Sequence, residues 1–323
     1  MSHLNYFVTE MGFEGKIPLN YTNMRAAETW IRYLDAYHFN IFKILSSEKK
    51  YGGICWLIIP KGKDAVSILL QNFINVIENL KAKFDYIYCI QEGEIGYWNQ
   101  MDVTTQTWIY LQFFMSDRIY TQNESDLSYF KGMFPEKEIM IIRPVLDSSI
   151  LDKNNFDPRE NRCIISGPFT REYYGFHQMI IARNFNCPID VPPMGSDRMP
   201  ADSWKMAENV GVNYLDYMEW KLWMETLSRY KFGIMLIPAV GSGTFALNCG
   251  YHGIPCIGNG KSDTQKLLFP DLSVDYMDLD RARKLSIKLR DDILFYEMIS
   301  EKAKSNFKKY FNKDIFLKEL KYA

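Results

Sequence analysis

The sequence predicts an α/β protein of two doubly wound domains, and three observations carry that expectation. Short apolar runs rich in Ile, Tyr and Phe alternate with segments of helical periodicity along the chain, the pattern of parallel strands joined by crossover helices. The alternation pauses at a polar, turn-rich stretch, residues 145–161, and then starts afresh. At 323 residues the chain exceeds one typical domain and suits two, each large enough to bury its own core.

In the first half, residues 6–9, 54–59, 86–90, 118–121 and 139–142 read as strands, with helices at 23–37, 65–82, 104–115 and 124–133. Asn123 or Glu124 offers a capped start to the last of these helices. In the second half, 162–166, 188–191, 232–237, 255–258 and 272–276 read as strands, with helices at 176–185, 218–230, 242–252, 263–268 and 278–291. The expected division is a Rossmann-like domain over 1–150, a second over 151–292, and helices over 293–323 that have no strand after them and brace both. In open parallel sheets ligands bind beyond the carboxyl ends of the strands. Two such domains facing across a cleft would put Glu10, Glu92 and Glu94 on one wall and Ser166, Gly167 and residues 241–244 on the other.

Composition narrows the function. Hydrophobic residues make up 47% and aromatics 15%, which is globular and not disordered. Lys plus Arg number 38 against 39 Asp plus Glu, so no global basic field exists for nucleic acid or an anionic membrane. Residues 281–323 hold twelve Lys/Arg against six Asp/Glu, but at helical spacing among apolar residues, as on a solvated helix face. The six cysteines are scattered without a C-x-x-C pair, as expected of buried thiols in a reducing compartment. With no run of ~20 apolar residues and no signal-peptide pattern, the expected location is cytoplasmic.

The most informative segment is 238–258, Pro-Ala-Val-Gly-Ser-Gly-Thr-Phe-Ala-Leu-Asn-Cys-Gly-Tyr-His-Gly-Ile-Pro-Cys-Ile-Gly. An apolar strand leads into a glycine turn, a short helix and a second strand. A helix N-terminus offers unpaired N–H groups and a positive dipole end to a phosphate. On that reading Gly243 removes a Cβ that would keep a diphosphate away, and Ser242 and Thr244 add hydroxyl donors. An ordinary strand-to-helix turn with Ser242 as its N-cap accounts for the same residues.

Together with three other segments, this one resembles GT-B glycosyltransferases, in particular the retaining group with an E-x7-E signature. Residues 118–130 with 139–144 look like the end of the acceptor domain. Residues 163–175, Cys-Ile-Ile-Ser-Gly-Pro-Phe-Thr-Arg-Glu-Tyr-Tyr-Gly, look like the first strand and glycine loop of the donor domain, and 216–238 like the helix and strand entering the donor pocket. The likeness covers 118–260 well and the first hundred residues by architecture alone. It implies transfer of a hexose or pentose from a nucleoside diphosphate-sugar to a hydroxyl acceptor. The sugar nucleotide is a co-substrate, with no other cofactor and no metal. It implies donor contacts from Ser166, Gly167, Thr170, Arg171, Gly241, Ser242, Gly243, Thr244 and Asn248. Both signature glutamates are absent: Val240 stands at the first and Asn248 at the second, where an amide could still bond a ribose hydroxyl. Pro168 replaces the family's arginine after the glycine, leaving Arg171 to stabilise the leaving diphosphate through its planar fork.

For the acceptor, Glu92, Glu94, Tyr97 and Trp98 follow an apolar strand. Aromatic faces suit a sugar or nucleoside ring, and a carboxylate suits the role of base in an inverting reaction. Glu10, Gly12 and Gly15 form a loop after the first strand that resembles the acceptor loop of these enzymes. A solvated loop explains either segment as well. The acceptor class stays open among glycans, small molecules and a modified nucleic-acid base. The histidines show no H-x-x-H spacing, and Asp278-Leu279-Asp280 reads as a helix cap in preference to a metal motif. The residues also admit a nucleotide-sugar epimerase, a non-catalytic nucleotide-sugar binding protein, or a dinucleotide oxidoreductase built on Gly241-Ser-Gly-Thr-Phe-Ala246.

Overall fold

The computed structural model describes residues 4–60, 63–70, 75–93, 95–98, 101–151, 159–170, 173–192 and 201–321. The chain forms two compact units: residues 1–21, 27–143 and 316–323 in one, residues 22–26 and 144–315 in the other.

Among the described residues the first unit contains a six-stranded sheet: β1 (Asn5–Thr9), β2 (Tyr37–Asn40), β3 (Ile54–Ile58), β4 (Tyr86–Ile90), β5 (Arg118–Thr121) and β6 (Glu138–Ile141). Their order is β2-β1-β3-β4-β5-β6, every pair parallel. Alternate residues supply the two faces. Tyr6, Val8, Cys55, Leu57, Ile87, Cys89 and Ile119 enter a core closed by Leu80, Trp108, Phe113 and Phe130. On the opposite face Phe7 stacks on Trp56 at 5.9 Å, and Trp56 meets Tyr120 at 4.8 Å. Apolar side chains on both faces are what a parallel sheet covered by helices requires.

The second unit holds β7 (Glu160–Ile165), β8 (Ile189–Val191), β9 (Val212–Tyr214), β10 (Tyr230–Met235), β11 (Cys256–Asn259) and β12 (Ser273–Val274). Their order is β12-β11-β10-β7-β8-β9, again all parallel. The strand order reverses between β7 and β10. Asp190 on β8, fully buried, joins four strands. It accepts from Arg162 through two guanidinium nitrogens (2.6–2.9 Å), from Tyr230 Oη (2.8 Å) and from Asn213 Nδ2 (3.0 Å). Removing one partner of a buried pair leaves the other charge uncompensated. Because Arg162 keeps about a third of its side chain in solvent, Asp190→Ala should cost about 3 kcal/mol, the lower end of the usual range. A urea midpoint within error of wild type would show that the network carries no such stability.

The strands and most helices stand within two or three residues of their expected places, with differences that have physical causes. The helix expected over 23–37 is Ala26–Tyr33; Asp35 takes a left-handed φ of 49°, and the chain continues as β2. The expected 65–82 helix is described as Lys63–Leu70 and Asn75–Lys81. Asn123 precedes Glu124–Met133 without a side-chain capping bond. The helix Ala201–Asn209 and β9 were not expected from the sequence. In the stretch read as a linker, Val145, Leu146, Asp147 and Leu151 are buried, 152–158 lie outside the described residues, and Glu160 already begins β7.

The C-terminal helices divide. Ile293–Tyr310 packs on the second unit: Ser300 Oγ donates to Gly253 O at 2.6 Å, and Tyr251 meets Phe307 at 5.3 Å. The last helix, Lys313–Lys321, contributes to the first unit, where Arg143 Nη1 lies 2.9 Å from Glu319 Oε1 and Tyr33 meets Phe316 at 6.0 Å. Among the described residues no helix is long and apolar enough to cross a membrane. All six cysteines are free, and five are buried.

Candidate active site

The reversal of strand order between β7 and β10 defines a crevice at the carboxyl ends of those strands, the position where open α/β sheets bind ligands. Two glycine-containing loops leave the sheet there. After β7, Ser166 donates its N–H to Ile234 O of β10 at 2.8 Å. The same N–H and the Ser166 hydroxyl also face Gln178 Oε1 at 3.1 and 2.9 Å. Gln178 is fully buried on the helix Gly175–Ala182 and donates to Tyr173 O at 2.6 Å. Ser166 is thereby a structural link, committed to strand and helix. Gly167 is dictated by packing, since a Cβ there would stand 2.3 Å from the Tyr173 ring. Thr170 N–H bonds Pro168 O at 2.8 Å, and its buried Oγ1 has no hydrogen-bond partner among the described residues. Arg171 lies outside the described residues.

After β10 the chain runs through the half-buried residues 237–243 into the helix Thr244–His252. The cap residue is Gly243, with φ 72° and no side-chain bond, so Ser242 is not the N-cap. Ser242 O instead accepts from Thr264 Oγ1 at 2.7 Å. Leu247 N–H to Gly243 O (2.9 Å) is the first bond of the helix, so the N–H groups of Thr244, Phe245 and Ala246 precede its ladder and point out of the N-terminus. The expected roles of the two glycines are exchanged. A Cβ on Gly243 would meet Ser262 Oγ and Thr264 Cβ at 2.8 Å, whereas a Cβ on Gly241 would meet nothing within 4 Å among the described residues. Gly243 is therefore required by its left-handed backbone and by packing, and Gly241 is the glycine that faces open space.

Asn248 also differs from its expected role. It is 8% exposed, and its amide is satisfied internally when Oδ1 accepts from Trp223 Nε1 at 3.0 Å and Nδ2 donates to Thr244 O at 3.3 Å. It buttresses the first helical turn against Trp223, with both amide atoms engaged inside the fold.

The far end of this helix is clamped. Arg159 donates to His252 O (2.5 Å) and to Tyr296 Oη (2.6 Å). Burial, helped by the Arg159 guanidinium, pushes the His252 imidazole down to about 3. A histidine with a depressed pKa is neutral in the fold but takes up a proton in the unfolded chain below its ordinary value near 6.5. Stability linked to His252 is thus complete above about pH 6.5 and is lost as the pH falls towards 3, by up to about 5 kcal/mol. Comparing His252→Gln with wild type in urea titrations from pH 7 to 4 should show a flatter dependence in the variant; parallel curves would rule out this linkage.

In the first unit the strand order reverses between β1 and β3, and the loop after β1 is held by a histidine. His38, on β2, is fully buried. Its Nδ1 faces Phe13 O at 2.7 Å, which places the proton on Nδ1. Its Nε2 then accepts from Thr9 Oγ1 at 2.8 Å, and that oxygen accepts from Met11 N–H at 3.0 Å. Burial holds the imidazole below its ordinary pKa. Gly15 pairs with His38 through both backbone groups (2.8 and 2.9 Å), and Asn40 Nδ2 reaches Met11 O at 3.1 Å. The Glu10 to Lys16 loop is thus folded onto β2. Glu10 stays exposed, and Gly12 has open space where a Cβ would be.

Glu92 is exposed in the turn after β4, where buried Gln91 donates to Gly93 O and Asp126 Oδ2, both at 2.8 Å. Glu94 and the side chains of Tyr97 and Trp98 lie outside the described residues. β3 separates β1 from β4, so the two acceptor-loop candidates leave the sheet two strand spacings, roughly 10 Å, apart. Among the described residues no cluster of three His, Cys, Asp or Glu side chains could hold a metal ion.

No protein-family model matches the chain, and no curated protein does. Solved structures do. HepE of Anabaena, in complex with UDP and glucose, superposes with a TM-score of 0.68 at 8% identity, covering 99% of this chain and 98% of HepE. An α-glucosyltransferase in complex with UDP and a 13-mer DNA containing an HMU base gives 0.64 at 10% identity, covering 99% and 98%. TarM of S. aureus, with UDP among its ligands, gives 0.64 at 11% identity over 83% of this chain; the chain spans 55% of TarM's length. These likenesses establish the fold class: GT-B, with two Rossmann-like units.

Proposed function

We propose that the protein is a glycosyltransferase that moves a hexose or pentose from a nucleoside diphosphate-sugar, UDP-sugar in the first instance, to a hydroxyl acceptor. One observation carries the reading. The strand-order reversal of the second unit is lined by Gly241, whose ideal Cβ meets none of the described residues within 4 Å, and by the N-terminus of Thr244–His252. A diphosphate fits that chemistry: N–H groups of residues 244–246, the exposed Thr244 hydroxyl and the helix dipole all favour negative charge. All three similar structures described above carry UDP.

In the reaction an acceptor oxygen bonds to the anomeric carbon as the bond from that carbon to the β-phosphate oxygen breaks. The departing diphosphate gains negative charge, which the fixed N–H groups stabilise without reorganising. Arg171 is proposed to add its cation to the same group, and Ser166 and Gly167 to hold the loop in place. The acceptor is proposed to bind the first unit through the loops of Glu10, Gly12 and Gly15 and of Glu92, Glu94, Tyr97 and Trp98. A hydroxymethylated base is one acceptor to test, since it occurs with a neighbour of this fold. The direct experiment is calorimetry with UDP followed by hydrolysis and transfer assays on a panel of UDP-sugars, with and without EDTA. UDP binding with sugar release supports the reading, and absence of any nucleotide binding removes it.

A further inference from the structure

The loop after β7 contains one cation, Arg171, which lies outside the described residues, and the structure offers another at the carboxyl end of the same sheet. Among the described residues of the loops following β7, β10, β11 and β12, Lys261 is the one Lys or Arg. Its backbone is fixed. Asn259, fully buried at the end of β11, donates Nδ2 to Ile237 O at 2.8 Å and accepts Lys261 N–H at 3.0 Å. Gly260 N–H adds a bond to Val274 O at 2.6 Å. The next residue, Ser262, is 3% exposed, and its hydroxyl lies 2.8 Å from where a Gly243 Cβ would be. The Lys261 turn is therefore in contact with the glycine turn that opens the proposed phosphate site.

The side chain is available to a ligand. It is 58% exposed, with its ammonium 3.7 Å from Asp275 Oδ2 and 5.5 Å from the Tyr276 ring centre. Tyr276 in turn packs edge-on against Tyr174, at the start of the helix after β7, with centroids 5.9 Å apart. An exposed pair at that distance is weakly held, whereas a phosphate at the helix N-terminus would carry more charge than the carboxylate it replaces.

Resting on the glycosyltransferase reading, we propose that Lys261 binds the diphosphate of the donor, supplying from the β11 turn a second positive charge beside the one proposed for Arg171. The test is calorimetry of UDP and of uridine, which has no phosphate, against wild type, Lys261→Ala and Lys261→Arg. Lys261→Ala should weaken UDP about tenfold or more, as loss of a charge-assisted contact does, leave uridine affinity within twofold, and keep the wild-type Tm. Lys261→Arg should recover most of the loss. Equal losses for UDP and uridine, or none for UDP, would overturn the assignment. Wild-type protein that binds neither compound would remove the glycosyltransferase reading itself, and the assignment with it.

Discussion

Gly241→Val should lower UDP affinity on the order of 100-fold while the protein stays folded. The residue's φ lies outside the left-handed region, and among the described residues nothing stands within 4 Å of its ideal Cβ. A larger side chain therefore costs the fold little, and replacing glycine where the backbone permits it even trims the entropy of the unfolded chain. On the proposed reading that open space is where the phosphate approaches the N–H groups of residues 244–246, and a valine side chain there competes with it. Gly243→Val is the informative contrast. Its φ of 72° and the 2.8 Å approach to Ser262 and Thr264 make that variant unstable as well as inactive, so loss of binding there proves nothing about the ligand. Calorimetry with UDP, paired with thermal unfolding of both variants, separates them. Wild-type UDP affinity in folded Gly241→Val would place the phosphate elsewhere.

The exchange of roles between these two glycines marks how far the sequence could be read. An apolar strand followed by two glycines and a helix is legible because its period changes from strand to helix within a few residues. Which glycine faces solvent depends on Ser262 and Thr264, some twenty positions later, and no local pattern encodes that contact. Asn248 is a similar case. Its position matches the second signature glutamate of the resemblance, but Trp223 Nε1, on a neighbouring helix, lies 3.0 Å from its side-chain amide. The alternation of strands and helices was visible because buried parallel strands are apolar on both faces. β2 was not, because Tyr37-His38-Phe39-Asn40 carries two polar side chains whose partners, Thr9, Phe13 and the loop after β1, lie about thirty residues away in sequence. Lys261 is illegible in the sequence for the same reason. A single lysine in a polar turn has no signature until the turn is seen against Gly243.

The carboxylates after β4 should affect rate more than binding. Glu92 is exposed in the turn that buried Gln91 organises through Gly93 and Asp126, and Glu94 follows two residues later. If the acceptor hydroxyl loses its proton to one of them, Glu92→Gln or Glu94→Gln should lower kcat by about 10²–10⁴-fold, the usual contribution of a general base. The amide keeps the shape and the hydrogen-bonding capacity of the side chain but cannot hold the proton. UDP affinity should stay at the wild-type value in both variants, because the donor is assigned to the other unit. The pH profile adds a second reading: an essential base gives a limb of falling kcat/KM on the acid side, and the impaired variant should lose that limb. Hydrolysis of the donor without acceptor should survive in either variant, since departure of the diphosphate depends on residues 241–246 and not on this turn. Transfer at the wild-type rate in both variants would make the turn structural and move the acceptor base to the β1 and β3 ends of the first sheet, where its strand order reverses.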